Sequence, residues 1–153
     1  MFVAPTVLPA TETADRQARC RALLTELCPE AGGLLVCSRL NIYYLTGAMA
    51  PGLLWLPAAG NPLLLVRKGL ERAHLESPQT LAVPFRSYSD LSGLAAEVGV
   101  PLPSVVAVEM GGLNWSMGLS LTKNLGAIRS VAGDRILQEA RSVKSAYELE
   151  IMR

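Results

Sequence analysis

A chain of 153 residues has room for one domain, or two small ones, and for a substantial core. Half of its residues are hydrophobic and 18% are charged, which excludes a disordered chain. The net charge of +1 excludes strong electrostatic attraction to nucleic acid or acidic membranes, and no apolar run approaches the ~18 residues of a membrane span.

The start, MFVAPTVLPATETADR, has no basic residue ahead of its short apolar stretch and carries two prolines, so it does not read as a secretory signal. Thr13 or Asp15 then opens a helix in which Cys20, Leu23, Leu24 and Leu27 recur at i, i+3, i+4 and i+7. Arg16, Arg19 and Arg21 read as its solvated face. Pro29 and the pair Gly32, Gly33 end it. Residues 34–37 form a short buried strand, and residues 53–56 and 63–66 an antiparallel hairpin around PAAGNP. A helix over residues 69–76 stops before Pro78, and a strand follows at residues 80–83.

Asp90 caps a helix to Val98, and residues 104–108 are a Val-rich strand. Asn114 caps a helix through about Asn124, residues 126–131 supply a last strand, and Asp134 caps a helix over residues 135–142. Ser145 and Glu148 form a capping box for one more helix, with Leu149 and Met152 as its apolar stripe. A mean hydropathy of +0.31 fits a sheet covered on both faces. The elements together predict an α/β domain of three layers, with a mixed sheet of about five to six strands, mostly parallel with one hairpin, flanked by helices.

Catalytic chemistry is sparse. A zinc or dinuclear site needs several converging N, S or carboxylate ligands, and the single histidine, His74, has only Glu71 and Glu76 nearby. That also removes Ser-His-Asp and Cys-His catalysis. Gly111 and Gly112 match no phosphate-binding spacing and read as a turn before Asn114. Glu109, at the end of a buried strand, reads as an acceptor for nearby backbone N–H groups. Cys20, Cys28 and Cys37 are odd in number and lack C-x-x-C spacing, which fits three reduced thiols in a cytoplasmic protein.

The stretch NIYYLTG, residues 41–47, lies at the carboxyl end of the first strand, where open α/β sheets place ligands. Two readings stand: a ligand-facing turn, or a tight helical turn that locks Ile42 and Leu45 into the core with Asn41 as its cap. Trp55, on the second strand, is a core or an interface aromatic.

Five segments in order carry a resemblance. SRLNIYYLTG (38–47) is similar to an NI-x-YLTG signature after a first strand, and LLLVRKGLERAHLES (63–77) to a hairpin strand followed by an ERA…ES helix. VPFRSYSDL (83–91), VVAVEM (105–110) and ILQEARSVKSAYELEIMR (136–153) complete the series. Together they resemble the amino-terminal domain of the creatinase, prolidase and aminopeptidase P metallopeptidases, whose fold is ribonuclease-H-like.

The resemblance implies an amino-terminal domain at residues 1–143. Residues 144–153 would then be a linker and the start of the first helix of a pita-bread catalytic domain beyond this chain. That domain would hold two divalent metal ions (Mn, Co or Zn) and hydrolyse proline-containing peptides before proline, while the present chain would carry neither catalytic residues nor metal. The amino-terminal domain would contribute to a homodimer, in part through the hairpin around Trp55, and to active-site closure. The substrate-proximal loop carried over from the family comprises Asn41, Tyr44, Thr46, Gly47, Ala48 and Met49. Many members have an aromatic residue where this chain has Ala48. Two alternatives are a family member without catalysis that serves as a peptide-binding or assembly module, and a self-contained domain binding a small ligand at residues 41–47.

Overall fold

The computed structural model describes residues 7–153. Residues 1–6 of the chain's start lie outside the described residues.

Short runs of branched apolar residues make the strands. They are β1 (Gly33–Val36), β2 (Gly52–Pro57), β3 (Leu63–Val66), β4 (Leu81–Pro84), β5 (Val105–Val108) and β6 (Arg129–Ala132). Their order in one sheet is β4-β3-β2-β1-β5-β6. Only β2 runs against its neighbours. It pairs antiparallel with both β1 and β3, while β3–β4, β1–β5 and β5–β6 are parallel. The expected mostly parallel sheet with a hairpin is therefore present, and it has six strands.

The helices are α1 (Ala10–Leu27), α2 (Arg39–Thr46), α3 (Leu70–Glu76), α4 (Leu91–Glu97), α5 (Trp115–Leu125), α6 (Asp134–Ser142) and α7 (Ala146–Ile151). Side chains alternate across a strand, so each strand feeds both faces of the sheet. Leu34, Val36, Leu54, Leu56, Leu64 and Val66 pack with α1, α2, α3 and α6. Leu35, Leu53, Trp55, Leu63, Leu65, Val106 and Val108 pack with α4 and α5. This double burial accounts for the high hydropathy: each fully buried Leu contributes roughly 1.5–3 kcal/mol. Among the described residues no helix is long and apolar enough to cross a membrane.

Several expectations are corrected. Helix α1 starts at Ala10, ahead of Thr13, because the Pro9 carbonyl already accepts the N–H groups of Glu12 and Thr13. The arginines of α1 are not a solvated face. Arg16 is buried, since it lies four residues before Cys20 and eight before Leu24 on the same inward stripe. Arg19 reaches the carbonyls of Ala140 and Val143, and Arg21 those of Pro57 and Gly60. The last strand begins at Arg129, not Gly126, because Gly126 caps α5 in the left-handed range of φ. Asp134 does not cap α6 with its side chain. Its carboxylate instead accepts the N–H groups of Met110 and Gly111 at 2.9 and 2.7 Å.

Trp55 is a core residue. Its ring is fully buried and its Nε1–H donates to the Val100 carbonyl at 2.9 Å, so the side chain offers nothing to a partner subunit. The ring rests on Gly33, where a Cβ would fall 2.2 Å from Trp55 Cη2. Gly33→Ala is therefore expected to destabilise the fold by about 1–3 kcal/mol through overpacking. Combined with Trp55→Phe, which shortens the ring, the two costs should sum to less than their separate values when urea midpoints are compared.

Cys20, Cys28 and Cys37 are all free thiols. Burial pushes Cys20 up to about 12, with Arg19 opposing, and raises Cys37, with Glu109 and Asp134 adding to the effect. A group whose folded pKa lies above its unfolded value stabilises the fold below the unfolded pKa and loses that contribution as pH rises toward the folded one. Stability is thus expected to fall between about pH 9 and pH 12, as read by denaturant midpoints across that range.

Candidate functional site

The candidate segment begins where β1 ends. Ser38 leaves the strand in an extended conformation, and its Oγ accepts the Asn41 N–H, so Ser38 rather than Asn41 caps α2. Gly47 closes the helix at φ 86°, a left-handed position that glycine adopts without strain, and its N–H donates to the Tyr43 carbonyl at 2.8 Å.

Glu109 fixes the beginning of this helix from the neighbouring strand. It follows β5 directly, beside the carboxyl end of β1, and is buried. Its Oε1 accepts the N–H groups of Cys37 and Ser38, both at 2.8 Å. Its Oε2 accepts the Ser38 hydroxyl at 2.8 Å and Asn41 Nδ2 at 2.6 Å. The connections from β1 and β5 leave toward opposite ends of the sheet, so this is the crevice where ligands bind in open α/β folds. Here the chain's own carboxylate fills it. Both oxygens are committed to donors, which agrees with Glu109 as a structural acceptor.

The residues of the segment divide by exposure. Asn41 belongs to the Glu109 cluster, and its Oδ1 lies 3.4 Å from Arg141 Nη1. Tyr44 is buried: its hydroxyl donates to the Ala140 carbonyl at 3.1 Å and its ring lies 4.5 Å beneath the Arg16 guanidinium. Burial raises the Tyr44 pKa, with the neighbouring Cys20 adding to the effect and Arg19 and Arg16 opposing it. Thr46 Oγ1 donates to the Ile42 carbonyl at 2.7 Å and accepts the Ala48 N–H at 3.0 Å. Gly47 packs on Leu8, and Ala48 is completely buried. Met49 is exposed, at 41%, and Tyr43 is half-buried. Ile42 and Leu45 are fully buried, as a locked helical turn requires, although Ser38 rather than Asn41 is its cap.

Met49 stands at the rim of a cavity of about 270 Å³ that Arg39, Lys68 and Arg72 also line, with Glu76 beneath. Arg72 Nε lies 3.1 Å from Glu76 Oε1 off the hydrogen-bond axis, an ionic contact that leaves that oxygen without a hydrogen bond. Sequence reasoning did not group these three cations, because they come from α2, the turn after β3, and α3. His74 lies on α3 with Nε2 3.3 Å from the Ala82 carbonyl oxygen. Among the described residues no three His, Cys, Asp or Glu side chains gather where they could hold a metal ion.

A family model, the creatinase/prolidase N-terminal domain, matches residues 16–143. The chain belongs to that family. Solved structures share its fold. Dipeptidase PepE from Mycobacterium ulcerans has a TM-score of 0.71 at 22% identity, over 95% of this chain and 40% of that one. An Xaa-Pro aminopeptidase from Streptococcus pyogenes has a TM-score of 0.71 at 18% identity, over 87% of this chain and the whole of that one. The N-terminal domain of the cytoplasmic peptidase PepQ from Mycobacterium tuberculosis has a TM-score of 0.66 at 19% identity, over 83% of this chain and 98% of that one. The chain thus spans less than half the length of PepE and matches the other two almost end to end. No curated protein matches it.

The Glu109 cluster yields a direct test. Glu109→Gln keeps the shape but points an amide N–H₂ at donors, so at least one buried donor loses its acceptor. The expected loss is roughly 2–3 kcal/mol of unfolding free energy, with the Cys37 and Ser38 amide resonances shifted. An unchanged urea midpoint would contradict the assignment.

Proposed function

We propose that this creatinase/prolidase N-terminal domain is the non-catalytic accessory part of an Xaa-Pro peptidase. Hydrolysis would belong to a following pita-bread domain with two divalent metal ions (Mn, Co or Zn). The described residues supply no donor set for such ions, so no step of the reaction is assigned to them. The observation that carries the reading is the filled crevice: the Glu109 carboxylate at the strand ends is consumed by four protein donors, and that of Asp134 beside it by the Met110 and Gly111 N–H groups. Both are left without a role in moving a proton or binding an ion.

The role of the chain's own residues would be to shape the approach to the active site. Asn41, Tyr44, Thr46, Gly47 and Ala48 hold the turn rigid, and Met49 is the group it presents. An exposed thioether beside three cations suits a peptide that carries an apolar side chain and a carboxylate. Dimerisation would bring this rim to the partner subunit's catalytic domain. Three free thiols are compatible with a cytoplasmic setting.

Residues 1–153, supplied with Mn²⁺ or Co²⁺ and an Xaa-Pro dipeptide, are expected to show no turnover. Metal-dependent cleavage at that bond would overturn the proposal. The alternative of a peptide-binding module gains support only if proline-containing peptides shift the Met49 and Ala50 resonances saturably in this chain alone.

A further inference from the structure

Arg16 is nearly all buried, at 6% exposure, yet no part of the proposed function uses it. Its Nε donates to Glu12 Oε1 at 2.9 Å and its Nη1 to the Tyr44 carbonyl at 2.9 Å. Its Nη2 lies 3.5 Å from Glu148 Oε1, and the guanidinium face covers the Tyr44 ring. The carboxylates are themselves joined through Ser145. The Ser145 hydroxyl donates to Glu12 Oε1 at 2.7 Å, and the Ser145 N–H donates to Glu148 Oε2 at 2.7 Å. The capping box closes as Ser145 Oγ accepts the Glu148 N–H at 3.1 Å. A ring of Arg16, Glu12, Ser145 and Glu148 therefore binds the start of α7 to α1, and the same cation holds α2 by its carbonyl and its aromatic face.

We propose that Arg16 is a positioning residue that couples α7 to the Tyr44–Met49 turn. Helix α7 has six residues and cannot persist alone, since isolated helices need roughly 12–15 residues to be even marginal in water. Its Leu149, Ile151 and Met152 are exposed, so apolar burial within the chain does not hold it either. What holds it is polar: Ser145 donates to Glu12, itself bound to Arg16, and Glu148 pairs with the Arg16 guanidinium, whose remaining bond reaches the turn at the Tyr44 carbonyl. The guanidinium is buried, so a displaced partner weakens its charge-assisted hydrogen bonds to Glu12 and the Tyr44 carbonyl or its ion pair with Glu148. A shift of α7 must then be felt at Tyr44, and through the α2 backbone at Gly47 and Ala48, while a shift of the turn is felt at α7. The proposal concerns contacts between residues 12 and 148 only and stands whether or not the peptidase reading does.

The test is a double-mutant cycle on the 153-residue chain, read by NMR amide shifts and hydrogen exchange. Ser145→Ala is expected to speed exchange of the Leu149 and Met152 amides by roughly tenfold and to shift the Gly47 and Ala48 amides, which it does not touch. Glu148→Gln should do the same. In an Arg16→Gln background, Ser145→Ala should leave Gly47 and Ala48 unmoved, although the local capping loss at α7 persists. A purely structural Arg16 would leave the remote effect equal in both backgrounds, and that result overturns the proposal, as does a Ser145→Ala variant with unaltered Gly47 and Ala48. Where Arg16→Gln fails to fold, Arg16→Lys takes its place, because an ammonium keeps the charge but cannot span both the Tyr44 carbonyl and Glu148.

Discussion

The carboxylate of Glu109 is the constraint on which the working end of this domain depends. Strands β1 and β5 are parallel neighbours whose connections diverge, one to the hairpin side of the sheet and one to the β6 side. Such a junction opens a gap lined by unpaired backbone N–H groups, and an anion or a ligand ordinarily fills it. In this chain the fifth strand brings its own anion. Glu109 satisfies the amides of Cys37 and Ser38, orients the Ser38 hydroxyl, and accepts one Asn41 Nδ2–H. The amino end of α2 is thereby fixed to the middle of the sheet, and the YLTG turn follows from a rigid origin. A sheet built like a ligand-binding fold has become a scaffold.

A second ionic device meets α2 nearer its carboxyl end, at Tyr44. Arg16 and its two carboxylates lie between α1 and α7, and Arg19 adds bonds to the carbonyls of Ala140 and Val143 at the end of α6. Buried ion pairs contribute little net stability compared with apolar packing of the same volume, but they are costly to break. Their placement fits that property: the apolar core sits in the sheet, and the charged bonds sit where segments far apart in sequence must keep one relation. Met49 and its cationic rim project beyond this frame, so an exposed and adaptable side chain is carried by a backbone with little freedom.

The residues whose role the sequence left wrong or open share one feature. Arg16 and Asp134 each look like an ordinary member of a local pattern, a solvated helix face and a helix cap, and Trp55 suits either a core or an interface. Each is instead defined by a group far along the chain. Arg16 binds Tyr44 and Glu148, Trp55 donates to Val100, and Asp134 accepts from Met110 and Gly111. Asn41 failed as a cap for a related reason: Ser38 was nearer the strand end, and the amide was needed by Glu109. By contrast, the Ser145 and Glu148 capping box and the Asn114 cap form as expected, because every atom involved lies within three residues.

Local order was therefore written in the sequence: six apolar runs, the helices between them, the hairpin at PAAGNP, and a family resemblance carried by five short segments. Hydrophobic period and turn chemistry act over a few residues and need no partner to be read. Tertiary structure alone decided that β2 is the single reversed strand, that Glu109 would meet β1, that Arg39, Lys68 and Arg72 would ring Met49, and that one guanidinium would serve both Tyr44 and Glu148. Those outcomes depend on where a charged group finds compensation once water is removed, and that is settled by the packing of segments up to 133 residues apart rather than by the residues on either side.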